Sequence, residues 1–193
     1  MSEIKTAVAD HPIQTLIGRR WSPYGYDPRP LQREDLRSLF EAARWAPSAF
    51  NEQPWRYIVA ERGNTAAFER LLSCLVEGNQ VWAKNASVLA LGVTKTTFAR
   101  NGKPNRHAAH DLGLATAGLI VEATARGLLV HQMGGILPEK ARELYGIPED
   151  FEPLTGIAIG YRTTADPPPP DTTPRTRHPQ ADFVFTDAWA APL

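Results

Sequence analysis

Two short basic runs stand at opposite ends of the chain, "GRRWS" at 18–22 and "PRTRHP" at 174–179. In the first, Arg19 and Arg20 precede Trp21 and the hydroxyl of Ser22, a donor set that matches the oxygens of a phosphate. In the second, Arg175 and Arg177 are two residues apart, so an extended chain projects both guanidiniums to one side. Taken singly, each run reads as solvated surface. Taken together they read differently, because four cations gathered without an anion repel one another and no acidic run stands beside either cluster.

A third stretch, "APSAFNEQPW" at 46–55, sets Ser48, Asn51 and Gln53 among Pro47, Ala49, Phe50 and Trp55. Polar amides among aromatics are costly if buried without partners. They serve either a Pro-bounded loop that satisfies its own amides or a wall for something flat and polar. In "HQMGGI" at 131–136, Gln132 and Met133 lead into Gly134 and Gly135, a plain turn or a place where backbone N–H groups approach a ligand face. His131 and Met133 read as packed side chains. His110 and Asp111 have no evident nucleophile beside them, so acyl transfer is unsupported and no catalytic residue is assigned.

Composition narrows the classes. Lys plus Arg and Asp plus Glu both number 21, so no net field favours nucleic acid or anionic lipid, and any anion recognition must be local. The single cysteine, Cys74, excludes an internal disulfide framework and a thiolate metal site, and no metal is expected. No stretch has the apolar length of a signal peptide or a membrane span, so the expected location is cytoplasmic.

The elements that must position these residues follow from periodicity. Helices are expected at 32–45, with Leu36, Leu39, Phe40 and Ala43 on one stripe, at 64–75 behind an Asn64 N-cap, and at 138–146 with Pro138 in the first turn. The stretch 107–128, rich in small residues and apolar all round, reads as a central or interfacial helix. Strands are expected at 55–61, 87–94, 128–132, 155–161 and 182–189. The mixture without regular alternation gives α+β as the fold class. A tether containing four prolines at 167–170 spans roughly 40 Å over fourteen residues in polyproline form, long enough to reach a second subunit.

The order "RRWS…YD", "APSAFNEQPWRYIV", "GLLVHQMGGILPEKARELYGIP", "GIAIGY", "PRTRHP" resembles the nitroreductase family of FMN-dependent oxidoreductases from Ile17 to Val184. The resemblance implies one α+β domain over 1–193, with a mostly antiparallel sheet flanked by helices, an N-terminal arm at 1–15 and an extended C-terminal arm at 162–193. It implies an intertwined homodimer with FMN at the interface and an exchanged C-terminal strand. By the same resemblance Arg20 and Ser22, with Arg19 and Trp21 beside them, and Arg175 and Arg177 hold the phosphate. Pro47, Ser48, Ala49, Phe50 and Asn51 line the ring and ribityl chain from the other subunit, and Gln53 lies near the pyrimidine edge. Gln132, Met133, Gly134 and Gly135 fall where backbone N–H groups face flavin N5. Trp21 and Tyr24 depart from the basic residues common at those positions, which leaves Lys84 as a substitute cation near N1. The implied activity is ping-pong transfer from NAD(P)H through flavin to a nitroaromatic, quinone or similar flat acceptor, over an open face walled by Phe50, Trp82 and Phe98. A non-catalytic FMN store shares every one of these contacts.

Overall fold

The computed structural model describes residues 5–163 and 173–191. In chain order the helices are α1 Thr15–Arg19, α2 Arg33–Arg44, α3 Thr65–Leu72, α4 Glu77–Ala83, α5 Ala108–Ala125 and α6 Pro138–Tyr145. The strands are β1 Tyr26–Asp27, β2 Trp55–Glu61, β3 Val88–Lys95, β4 Leu129–Met133 and β5 Phe151–Arg162.

Every pairing in the five-stranded sheet is antiparallel. β3 lies between β2 and β5, while β4 and β1 pair with successive parts of the other edge of β5. The burial of β3 explains its unbroken apolar run. Val88 and Ala90 enter one core with Leu39, Ala43, Leu112, Leu119 and Ile157, beneath α2 and α5. Leu89, Leu91 and Val93 enter a second core with Phe68, Leu71, Leu75, Trp82 and Met133, beneath α3, α4 and α6. Successive side chains of a strand point to opposite faces, so a strand covered by helices on both sides carries no polar alternation.

Local chemistry set the helix ends where expected. Asn64 accepts the Ala67 N–H at 3.2 Å, and Pro138 occupies the first turn of α6, which closes on Gly146 at φ 60°. The helix at α5 is central, as its composition predicted. Its Gly118 passes so close to α2 that a Cβ there would stand 2.9 Å from the Ala42 carbonyl oxygen.

One expected element is absent. Residues 182–189 form no strand but follow a 3-10 turn, Gln180–Asp182, with Asp187 and Ala190 at positive φ. A strand needs a neighbouring edge along its length to satisfy its backbone, and in the single chain only Phe185 makes a β-bridge, while the Thr186 N–H donates to the Ala191 carbonyl. The alternation in "FVFTDAW" instead brings Phe185 against Trp189, ring centroids 5.2 Å apart. The tetraproline tether lies outside the described residues. Three short elements, α1, β1 and α4, were not anticipated, being too brief for periodicity to register.

Candidate functional site

The two basic runs meet. Arg20, Trp21, Ser22, Arg175 and Arg177 line one cavity of about 200 Å³, together with Lys5. Arg20 sits just beyond α1, where the chain turns extended, and its Nη1 donates to Ser22 Oγ at 3.0 Å. Arg175 is clamped along one edge. Its Nη1 donates to the carbonyls of Lys5 (3.0 Å) and Gly18 (2.9 Å), which joins the two ends of the chain. Its Nε is buried and has no hydrogen-bond partner among the described residues.

The electrostatics are those of an anion cradle. None of the residues lining the cavity is acidic. Burial, then the Arg175 and Arg177 charges, hold the Arg20 guanidinium below its ordinary pKa. Burial and then Arg177 do the same to Arg175. An anion between them would relieve the repulsion and give the orphaned Nε an acceptor. A phosphate monoester matches the forked donors and the hydroxyl.

Arg19, the other arginine of the first run, faces elsewhere. It lines a separate hollow with Trp21, Thr124, Leu128 and Arg162, at the C-terminal end of α5. The backbone turns from helical at Arg19 to extended at Arg20, and the two side chains leave in different directions.

The loop at 47–53 is held in an unusual conformation. Phe50, Asn51 and Gln53 all have positive φ, at 54°, 54° and 49°. Side chains with a Cβ are strained in that region, and such strain gathers at binding sites. What fixes the loop is a set of polar ties. Ser48 Oγ accepts the Gln53 N–H at 3.0 Å, and Asp111 Oδ2 accepts the Ala49 N–H at 3.0 Å from the first turn of α5. Asp111 is 2% exposed. Gln53 Nε2 donates to the Asn51 carbonyl at 3.2 Å. Pro47, Phe50, Asn51 and Gln53 remain exposed.

The double glycine ends β4. Gly134 has open space where a Cβ would be, whereas Gly135 is pressed against Val76 and Asn79 of the α4 entrance, and its carbonyl accepts the Asn79 amide at 3.0 Å. Gln132 is exposed and Met133 is in the core. His131 is a packed residue, stacked 4.5 Å from Trp82, with Nδ1 hydrogen-bonded to the Pro23 carbonyl at 2.7 Å. Tyr24 packs edge-on against both rings.

One expectation needs correction. Trp82 walls no open face, because it is buried in that aromatic cluster of the core. Lys84 borders a hollow with Arg62, Phe68 and Glu69, apart from the phosphate cavity. Phe50 and Phe98 do meet, 5.8 Å apart and edge to face, with the Arg100 guanidinium 4.2 Å from the Phe50 ring centre. Glu52 ties this pair of loops by accepting the Ala99 N–H. Lys5 and Asp111 were the residues that reading by motif missed. Lys5 belongs to no spaced pattern, and Asp111 gives only the faint signal of one of two acids in an otherwise apolar helix.

The fold is α+β, an antiparallel sheet between two helical layers, with a cation-lined cavity built from both ends of the chain. The pattern of the nitroreductase family matches residues 17–161, and the chain belongs to that family. It is similar over 99% of its length to all of a crystallised oxidoreductase containing FMN, at 34% identity and a TM-score of 0.90. A nitroreductase family protein of Clostridium difficile 630 superposes with a TM-score of 0.72 at 25% identity, over 90% of this chain and 96% of that one. The major NAD(P)H-flavin oxidoreductase of Aliivibrio fischeri is 34% identical over 95 residues, 47% of this chain and 43% of that protein. No helix among the described residues is long and apolar enough to cross a membrane.

Proposed function

We propose that the protein is an FMN-dependent oxidoreductase that carries reducing equivalents from NAD(P)H to a nitroaromatic, quinone or similar flat acceptor in alternating, ping-pong turns. The observation that carries this reading is the convergence of Arg20, Ser22, Arg175 and Arg177 on one cavity from opposite ends of the chain. The fit to a flavin phosphate rests on this chain's own residues: a cavity lined by cations without an acid, and a buried guanidinium nitrogen lacking an acceptor.

FMN, when bound, supplies the chemistry by taking two electrons from the donor and giving them to the acceptor. The protein's task is to grip, orient and shield. Arg20, Arg175 and Arg177 would hold the phosphate, with Ser22 adding a hydroxyl. The bare backbone at Gly134 would lie against the ring, since a Cβ there would meet nothing. Ser48, Asn51 and Gln53 would offer polar contacts to the ring and ribityl chain.

A homodimer is the assembly that the positions of these parts favour. Ala49 is bonded to Asp111 at the start of α5, while Trp21 shares a hollow with Thr124 near its end. Thirteen residues of helix separate those points by roughly 20 Å, so the cradle and the loop of one chain lie toward opposite ends of α5. A second copy related by a two-fold axis reverses the direction of α5 and would carry its own loop to the first chain's cradle. Exposed apolar side chains at Ile17, Trp45, Val121 and Trp189 are available for such a contact.

The test is an absorption spectrum of the purified protein, release of the bound flavin for identification, and anaerobic addition of NADH or NADPH. Bleaching of the yellow band, followed by its return with menadione or a nitroarene, supports the reading. A bound flavin that stays oxidised would instead favour a store of FMN. Replacing Arg20 and Arg177 together by alanine is expected to weaken FMN binding at least a hundredfold, as loss of two charge-assisted contacts demands. Unchanged affinity would remove the cradle from the account.

A further inference from the structure

Lys5 lies outside every motif, yet it is buried to 8% exposure in the wall of the phosphate cavity. Its Nζ donates to the Thr173 carbonyl at 2.6 Å and lies 5.4 Å from the centre of the Trp21 ring. Its backbone carbonyl accepts from Arg175, and two residues on, the Ala7 N–H donates to Gly18, whose carbonyl Arg175 also holds. The segment at 5–7 is therefore threaded between the arginine-bearing turn after α1 and the C-terminal arm.

We propose that Lys5 is the fourth cation of the phosphate cradle and that its segment is the strap closing it, tying the C-terminal arm to the turn at 18–22. Three arginines and a lysine around one small cavity repel one another at every separation the cavity permits. A phosphate dianion reverses the sign of each interaction. Binding of the phosphate and docking of the two chain ends are then one event. The strap would carry little stability without the anion, and the anion would lose a wall without the strap.

This inference rests on the flavin reading above, so the experiment separates the two. Dissociation constants for FMN and for riboflavin are measured by flavin fluorescence on the full chain, wild type against Lys5→Met, which keeps the aliphatic stem over Trp21. The two flavins differ by the phosphate alone. The expected result is a loss of roughly tenfold or more in FMN affinity, the size of one charge-assisted contact, with riboflavin affinity unchanged. Lys5→Arg should restore most of the loss, and inorganic phosphate should compete with FMN less well in Lys5→Met than in the wild type. An equal loss for both flavins would make Lys5 a structural residue and overturn the proposal, as would no loss for either. If the wild type itself binds FMN no better than riboflavin, the cradle reading fails at its source, before any question about Lys5.

Discussion

Phe50, Asn51 and Gln53 keep positive φ without being glycine, and that choice has a cost. The ordinary remedy, Gln53→Gly, removes the strain while leaving the backbone N–H to donate to Ser48. It is expected to raise stability to urea by roughly 1 kcal/mol and to lower FMN affinity at the same time. A variant both more stable and equally able to bind flavin would show that the side chain has no part in the site. Two weakly acidic groups elsewhere, one buried and one half-buried, set a pH dependence. Burial pushes the Cys74 thiol and the Tyr57 phenol above their ordinary values, the latter opposed in part by its hydrogen bond with Thr116. Both groups therefore hold their protons longer in the folded chain than in the unfolded one. The stability they contribute is complete below the ordinary thiol pKa of about 8.5 and is lost as pH rises through the raised native values. Thermal melts from pH 7 to 11 should fall at the alkaline end, less steeply in Cys74→Ala and in Tyr57→Phe.

Helix α5 illustrates what packing asks of an element. Its small residues are no accident of composition, since Gly118 lets α2 approach until the Ala42 carbonyl would touch a side chain. Gly118→Ala is more favourable for an isolated helix by about 1 kcal/mol, yet here it should destabilise the fold by roughly 1–3 kcal/mol through the clash with backbone. Denaturant unfolding measures which sign wins. Polar ties matter at the same level. Asp111 reaches from α5 to Ala49, and the Glu52 carboxylate bonds the Ala99 N–H, so the loop at 47–53 is held by a helix and a second loop as well as by its own Ser48 and Gln53.

The assembly is best tested by splitting the site between two defective chains. One chain carries Arg20→Ala with Arg177→Ala, the other Ser48→Ala with Asn51→Ala. Each alone should retain little FMN. If cradle and loop come from different copies, co-refolding the two in equal amounts gives mixed dimers with one intact site each, and about a quarter of the wild-type flavin returns. No recovery in verified mixed dimers would place cradle and loop in the same subunit.

Much of this was written in local chemistry. The cap at Asn64, the proline opening α6, the two-faced apolar run of β3 and the small-residue composition of α5 each name their own structure, because the forces involved act within a few residues. Those same short-range rules do not decide 182–189, whose alternation makes a strand only where a partner edge runs alongside, and which in the single chain gives one bridge at Phe185, a turn and a ring contact. The arginine runs were legible as candidate anion ligands by type alone. That Arg20 joined Arg175 and Arg177 while Arg19 turned away, that Lys5 was drawn into their midst, and that Asp111 pinned a strained loop were all settled by long-range packing. Residues 170 positions apart meet through the folded sheet and its helices, and no pattern of neighbours along a chain encodes a distance of that kind.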